Sequence, residues 1–264
     1  MPPLSPDQVA AWTEYAEAPW GRLRLELIRA VLERHVELPP PRLLDVGCGL
    51  GELAVAFARA GSEVTAGDAS GPMVAAARDR AGETQLRWLE GDLDATVAAV
   101  ADERFDLILC HNVLGYVADP AAATAALGSL LGPGGVLSLT LGNREAEPLR
   151  LAFLLRDLPA ATAAAERSDP TRVGPTLGEE FRLDTLDEAT AWLRDAGLEP
   201  VAAAGLLLVN HYLGAGDATN ATADGYNAIR ALELALCERE PYVRVAPFLH
   251  VLARRRPQRR QSFA

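Results

Sequence analysis

Apolar positions recur at helical spacing from residue 5 to about 38, with Leu23, Leu27, Ile28, Val31 and Leu32 on one face, and the prolines at 39–41 close the run. The period then changes. From Arg42 onward short apolar runs alternate with helical stretches: LLDV, ELAVAFARA, EVTAGD, PMVAAARDRA, LRWLEGD. Such alternation predicts right-handed βαβ units in a parallel sheet. It continues through FDLILC at 105–110, a helix over 120–131, the turn GPGG and VLSLTL at 136–141, for five parallel strands in all.

Beyond Glu145 the pattern loosens. Residues 145–184 are partly helical, then rich in Pro, Gly, Asp and Arg, and read as a lid. Its Leu149, Phe153, Leu154, Leu155 and Leu158 fall at helical spacing and are candidates to wall a pocket. A helix over 185–196 ends at Gly197, LEPVAAAGLLLVNHYL reads as a strand, YNAIRALELALCERE as a helix and VRVAPFLHVLA as the last strand. Seven strands result.

Composition narrows the class. With 49% hydrophobic and 23% charged residues over 264 positions, the chain is expected to fold as a soluble α/β protein. No stretch reaches 18 uninterrupted apolar residues and the first dozen lack a basic-then-apolar leader, so the expectation is a cytoplasmic protein with no membrane partner. Cys48, Cys110 and Cys237 form no Cys-x-x-Cys pair, which predicts reduced thiols and no metal site. All 25 basic residues are arginine, and five lie in the terminal ARRRPQRRQSFA; the net charge is nevertheless −11, so the body should repel polyanions.

The strongest chemical signal is LLDVGCGLGE at 43–52, where a strand delivers Asp45 and then Gly47, Gly49 and Gly51 before a helix. Glycines allow close backbone approach to a ligand. An acid ahead of them would repel a pyrophosphate but orient the cationic, amine-bearing end of S-adenosyl-L-methionine. Asp68 ends the second strand, where a carboxylate accepts from both ribose hydroxyls, unless it is a helix cap. Met73 would pack on the adenine or simply in the core. Asp92 and Leu93 would meet the adenine amino group and a ring nitrogen, or form an ordinary turn.

The elements LLDVGCGLGE, GD at 67–68, EGDL at 90–93 and LGPGGVLSL at 131–139 resemble class I methyltransferases over roughly residues 40–142. A narrower resemblance spans nearly the whole chain. Through GRLR at 21–24, FDLILCHNVLGYVADP at 105–120, the His211-x-Leu element and LELALCEREPYVRVAPFLHVLARR at 232–255, it is similar to the bacterial tRNA methyltransferases that esterify 5-carboxymethoxyuridine at the wobble position. The resemblance implies that Arg24 binds the cofactor, its planar guanidinium suiting the carboxylate. It also places Gly47, Cys48, Asp68, Leu93 and His111 at cofactor-contacting positions. The fold implied is a Rossmann-like seven-stranded sheet with helices on both faces. It forms one domain over 1–264: a helical prelude (1–41), the cofactor-binding core (42–142), a lid insertion (143–184), the C-terminal sheet completion (185–253) and a basic tail (254–264).

On the acceptor side the candidates are Tyr15, Tyr116, Asn143, His211 and Tyr212. Methyl transfer from a sulfonium is an in-line displacement, so a base is needed only if the nucleophile carries a proton. His211 is the expected base and Tyr15 its orienting partner, the roles that a histidine and a tyrosine play in indole-methylating enzymes of alkaloid biosynthesis on a similar scaffold; His35 and His250 are assigned to surface or core. Where the tRNA family has a lysine-rich lid, this chain reads AERSDPTRVGPTLGEEF. The expected acceptor is therefore a small, largely apolar or aromatic metabolite, such as an indole of secondary metabolism. Wobble-uridine esterification in tRNA is the alternative and cofactor binding without turnover the third; the oligomeric state is left open.

Overall fold

Two helices, not one, lead into the sheet. In the computed structural model, which describes residues 5–166, 171–173, 180–213 and 222–256, α1 (Pro6–Glu17) and α2 (Pro19–His35) meet at Ala18, whose backbone is extended. Pro19 is the cause: its ring disfavours helical backbone at the preceding residue and suits the first position of a new helix. Ser5 and Gln8 close a capping box on α1. The apolar face of α2 buries Leu23, Leu27, Ile28, Val31 and Leu32 against the sheet, as its spacing predicts.

Next come β1 (Arg42–Val46), α3 (Glu52–Arg59), β2 (Glu63–Asp68), α4 (Gly71–Ala81), β3 (Arg87–Glu90), α5 (Leu93–Ala99), β4 (Phe105–His111), α6 (Pro120–Ser129) and β5 (Leu131–Gly142). These five strands are parallel, in the order β3-β2-β1-β4-β5. The segment expected to be a lid contains α7 (Glu147–Leu149), a π-helical turn (Arg150–Leu154), α8 (Leu158–Glu166) and a hairpin of β6 (Thr171–Val173) with β7 (Glu180–Arg182). The chain then forms α9 (Leu186–Asp195), β8 (Leu198–Leu206), α10 (Leu208–Leu213), α11 (Ala223–Leu236), α12 (Tyr242–Val245) and β9 (Phe248–Arg255). β9 adds antiparallel to β5 and β8 antiparallel to β9, completing the seven-stranded α/β sheet.

Each face of the sheet carries its own core. Leu43, Leu107, Leu109, Val136 and Leu252 face α2, α3 and α11, while Leu44, Ile108, Leu137, Leu139 and Val251 face the side closed by α6 and α9. Each such leucine or valine, buried completely, contributes about 1.5–3 kcal/mol. Chain order reverses between β1 and β4, and in open parallel sheets the crevice beyond the strand ends at that point is where ligands bind.

Three sequence expectations are corrected. The strand predicted through residue 213 stops at Leu206, and Leu207 takes a left-handed backbone (φ 62°), so LVNHYL is helix α10 and His211 lies on a helix. The cause is tertiary: the buried carboxylate of Glu233 accepts from the amides of Leu208 (3.1 Å) and Asn210 (3.0 Å), satisfying the start of α10. The last strand begins at Phe248, because Tyr242–Val245 are helical. It also continues past Ala253: Arg254 donates to the His35 carbonyl and Arg255 to that of Ser129, so these two arginines belong to the sheet and not to a tail.

Candidate active site

The loop after β1 needs glycine for steric reasons. Gly47 (φ 71°) and Gly49 (φ 54°) are left-handed, and a Cβ on Gly47 would sit 2.1 Å from Val113 Cγ2. The amides of Gly47 and Cys48 donate to the Gly67 carbonyl at 2.8 and 3.0 Å. Asp68 completes the anchor: one carboxylate oxygen accepts from Gly49 N at 2.8 Å and the other from Ser70 N at 2.9 Å. Burial pushes its carboxyl above the ordinary range, with the two amides pulling the other way. The geometry thus gives Asp68 a structural task, holding the loop, that the ribose expectation did not contain.

A cleft of about 720 Å³ opens over this loop, within the roughly 300–1,000 Å³ of ligand cavities. All ten positions expected to meet a cofactor line it: Arg24 from α2, Asp45 from β1, Gly47, Cys48 and Gly49 from the loop, Asp68 from β2, Met73 from α4, Asp92 and Leu93 where β3 passes into α5, and His111 at the end of β4. Two serve double duty. Met73 also packs with Ala16 and Leu50, and Asp92 also caps α5 by accepting from Ala95 N.

Electrostatically the cleft's lining sets several acids, Asp45, Glu52, Asp68 and Asp92 among them, against the arginine Arg24. Asp45 is buried, and burial together with the charges of Glu52 and Asp68 raises its pKa to about 7. Such a carboxylate gains from a cationic ligand. Arg24 has its Nε buried without a hydrogen-bond partner among the described residues, a donor waiting for an anion. His111 is kept neutral by burial, by His250 and by Arg24. The Cys48 thiol is driven well up by burial and the neighbouring acids, which makes it an inert wall and not a nucleophile. A ligand bearing a positive centre, an ammonium and a carboxylate fits these donors, and S-adenosyl-L-methionine has all three.

The residues expected on the acceptor side are placed differently. Tyr15 is outside the cleft wall and packs its ring 5.4 Å from Trp12, which does line the cleft. His211 is also outside that wall, its ring 5.9 Å from Tyr212. Tyr116 does line the cleft, against Phe181 of the lid. Asn143 is occupied by structure: its side-chain amide donates to the carbonyls of Arg244 and Ala246, each at 2.8 Å, and its oxygen accepts from Glu145 N. The lid leucines do not wall the cleft. Phe153, Leu154, Leu155 and Leu158 are exposed, at 58%, 39%, 55% and 65%. Phe153 reaches across to Tyr212 at 6.0 Å, so the lid turn and α10 share an apolar surface beside His211.

Sequence reasoning missed Glu233 and the pair Ser138–His250. Each carried a signal. A charged side chain between Ile229 and Cys237 on the buried face of α11, and polar residues inside VLSLTL and FLHVLA, are buried polar groups that need partners. Among the described residues no group of three or more His, Cys, Asp or Glu could hold a metal, and no helix is long and apolar enough to cross a membrane.

The comparisons agree with this geometry. A methyltransferase-domain family profile matches residues 44–139. The chain is 30% identical over 245 residues to the tRNA 5-carboxymethoxyuridine methyltransferase of Escherichia coli, covering 89% of each. It is 32% identical to a ubiquinone biosynthesis O-methyltransferase of Cereibacter sphaeroides over 191 residues, 69% of this chain and 71% of the other. Among solved structures, an S-adenosylmethionine-dependent methyltransferase of Mesorhizobium loti superposes with a TM-score of 0.60 at 21% identity, covering 90% of this chain and all of the other. The magnesium protoporphyrin IX methyltransferase of Synechocystis, with bound S-adenosylhomocysteine, does so at 0.60 and 17% identity, with 93% of each covered.

Proposed function

We propose, from the premise that this chain belongs to the class I S-adenosylmethionine-dependent methyltransferases, that its acceptor is a small, largely apolar or aromatic molecule. One observation carries the reading: apolar side chains are exposed together on the lid segment and α10, and four arginines near them are paired with acids. Phe153, Leu154, Leu155, Tyr212 and Leu213 are exposed together on the lid and α10. Around them Arg144 pairs with Glu188, Arg150 with Glu147, Arg182 with Asp184 and Arg244 with Asp187. Phosphate binding needs cations free to replace counterions, and these are committed.

The bound cofactor supplies an electrophilic methyl on a positive sulfur. The chain's own residues would do the rest. Asp45, with Glu52 and Asp68 behind it, would favour the positive end, Arg24 would take the carboxylate, Asp68 would hold the ribose and the loop, and Asp92 and Leu93 would edge the adenine. Tyr116 would face the acceptor. His211, carried by α10 and paired with Tyr15 in this proposal, would remove the acceptor's proton where there is one. A second reading, esterification of 5-carboxymethoxyuridine in tRNA, has a specific support in the 30% identity that extends over 89% of both chains. Methyl transfer from labelled cofactor to a panel of indoles, phenols and quinols, run beside total tRNA, decides between them. Turnover on tRNA alone would reverse the proposal.

A further inference from the structure

Polar side chains meet on one face of three adjacent strands in the middle of the sheet. His111 ends β4, His250 lies in β9, and both pair in register with Thr140 of β5. Ser138, two residues before Thr140, therefore faces the same side. Its hydroxyl oxygen is 2.9 Å from Nε2 of each imidazole, and both Ser138 and His250 are fully buried.

A hydroxyl has one proton. Set between the Nε2 atoms of two neutral imidazoles, it donates to one and accepts from the other, so the two rings take opposite tautomers. The far end of the chain decides the direction. His250 Nδ1 is buried with no partner among the described residues. A bare acceptor is tolerated there better than an orphaned N–H. His250 then carries its proton on Nε2 and donates to Ser138, and Ser138 donates to Nε2 of His111. His111 keeps its proton on Nδ1, the ring nitrogen that Ser138 does not engage, on a ring that lines the cleft.

We propose that Ser138 and His250 are positioning residues that fix His111 as its Nδ1–H tautomer, so that the cleft receives a neutral donor alongside the Arg24 guanidinium. The two donors suit a ligand carboxylate, the guanidinium bringing the charge and the imidazole a directed hydrogen bond without added positive charge. The role rests on the reading of this cleft as the cofactor site.

Long-range ¹⁵N–¹H correlation spectra of the ligand-free protein, labelled at its histidines, read the tautomers directly. The expected result is Nδ1–H for His111 and Nε2–H for His250, with peaks assigned from His35→Gln and His211→Gln together with His250→Phe. Ser138→Ala should leave His111 as a mixture of tautomers. It should also weaken S-adenosylhomocysteine binding by about five- to tenfold, as the competent fraction falls. Ser138→Thr, which keeps the hydroxyl, should restore both. An Nε2–H tautomer at His111 in the unsubstituted protein, or a spectrum unchanged by Ser138→Ala, overturns the proposal; if that variant does not fold, the unsubstituted spectrum still decides. Unchanged S-adenosylhomocysteine affinity in His111→Phe would instead remove His111 from the cofactor site, a failure of the underlying reading that the tautomer spectrum reports separately.

Discussion

The two proposed halves of the site are built on different physical terms. The proposed cofactor side comes mainly from one stretch of chain, in which β1, the glycine loop, β2 and β4 each deliver a residue, Asp68 ties loop to sheet through two backbone amides, and α2 adds Arg24. The proposed acceptor side, outside the cleft wall, is a meeting of distant segments. α10 exists because Glu233, more than twenty residues later in the chain, accepts its first amides, and Tyr212 meets Phe153 from the lid. A site made of local turns is set by local sequence, whereas one made of packed segments depends on contacts that periodicity does not report. The cofactor side should therefore lose binding when a single residue is changed, and the acceptor side should lose turnover.

The sharpest break between the sides is expected at His211. If it is the base, His211→Ala lowers turnover by about 10²–10⁴-fold on an acceptor with an ionisable proton while cofactor affinity stays the same. Steady-state kinetics with calorimetry on the same preparation checks both. Tyr15→Phe should do less. Wild-type turnover in both variants removes the pair and leaves Tyr116, which lines the cleft, as the residue facing the acceptor.

On the other side, Asp68→Ala should weaken S-adenosylmethionine binding by about 1.5–3 kcal/mol, roughly ten- to 150-fold, since charge-assisted hydrogen bonds to the ribose and to Gly49 N are lost together. Calorimetry reads it. A folded variant with an unchanged dissociation constant would contradict the assignment of the whole cofactor side.

Acidity gives a finer test. Asp45 has its pKa raised to about 7, and a cationic ligand prefers it ionised. Cofactor binding should therefore strengthen as pH rises from 6 to 7.5, by roughly tenfold, and Asp45→Asn should flatten the profile. Stability should move the opposite way. Because the folded state holds these protons more tightly than the unfolded chain, Asp45 and Glu233, also raised to about 7, make the ligand-free protein lose stability as pH rises from about 4.5 to 7, with no further change above. Thermal melts across that window check the sign.

This contrast also measures what the sequence could reveal. The five parallel strands β1 to β5 and the lining residues Asp45, Gly47, Gly49, Asp68 and Asp92 were legible because glycines and strand ends are local patterns, whereas Arg24, Cys48 and His111 were reached through the family resemblance. His211 was placed on a strand because LLLV reads as one; the cap from Glu233 and the left-handed Leu207 turned it into a helix. Residues such as Leu155 and Leu158 read as a pocket wall because helical spacing shows that residues share a face and not which way the face points. The pairing of Ser138 with His250 escaped for a related reason: a polar residue inside a strand signals that it needs a partner, but which partner it has is set by the neighbouring strand's register.

The smallest effect expected concerns the chain's end. Arg254 and Arg255 hold β9 against the His35 and Ser129 carbonyls, and Arg256 pairs with Glu199, so a truncation that starts at 254 would damage the sheet and confuse the result. Removing only residues 257–264 deletes the last two arginines and leaves those contacts in place. If the acceptor is a small apolar molecule, turnover should change by less than about twofold and its salt dependence not at all. If the acceptor is RNA, each lost phosphate contact lowers the slope of log affinity against log salt by about one, so losing two would be plain in a titration from 50 to 200 mM salt. A large, salt-dependent loss of turnover in the truncated protein would move the acceptor from the apolar surface beside α10 to a nucleic acid held partly by the chain's end.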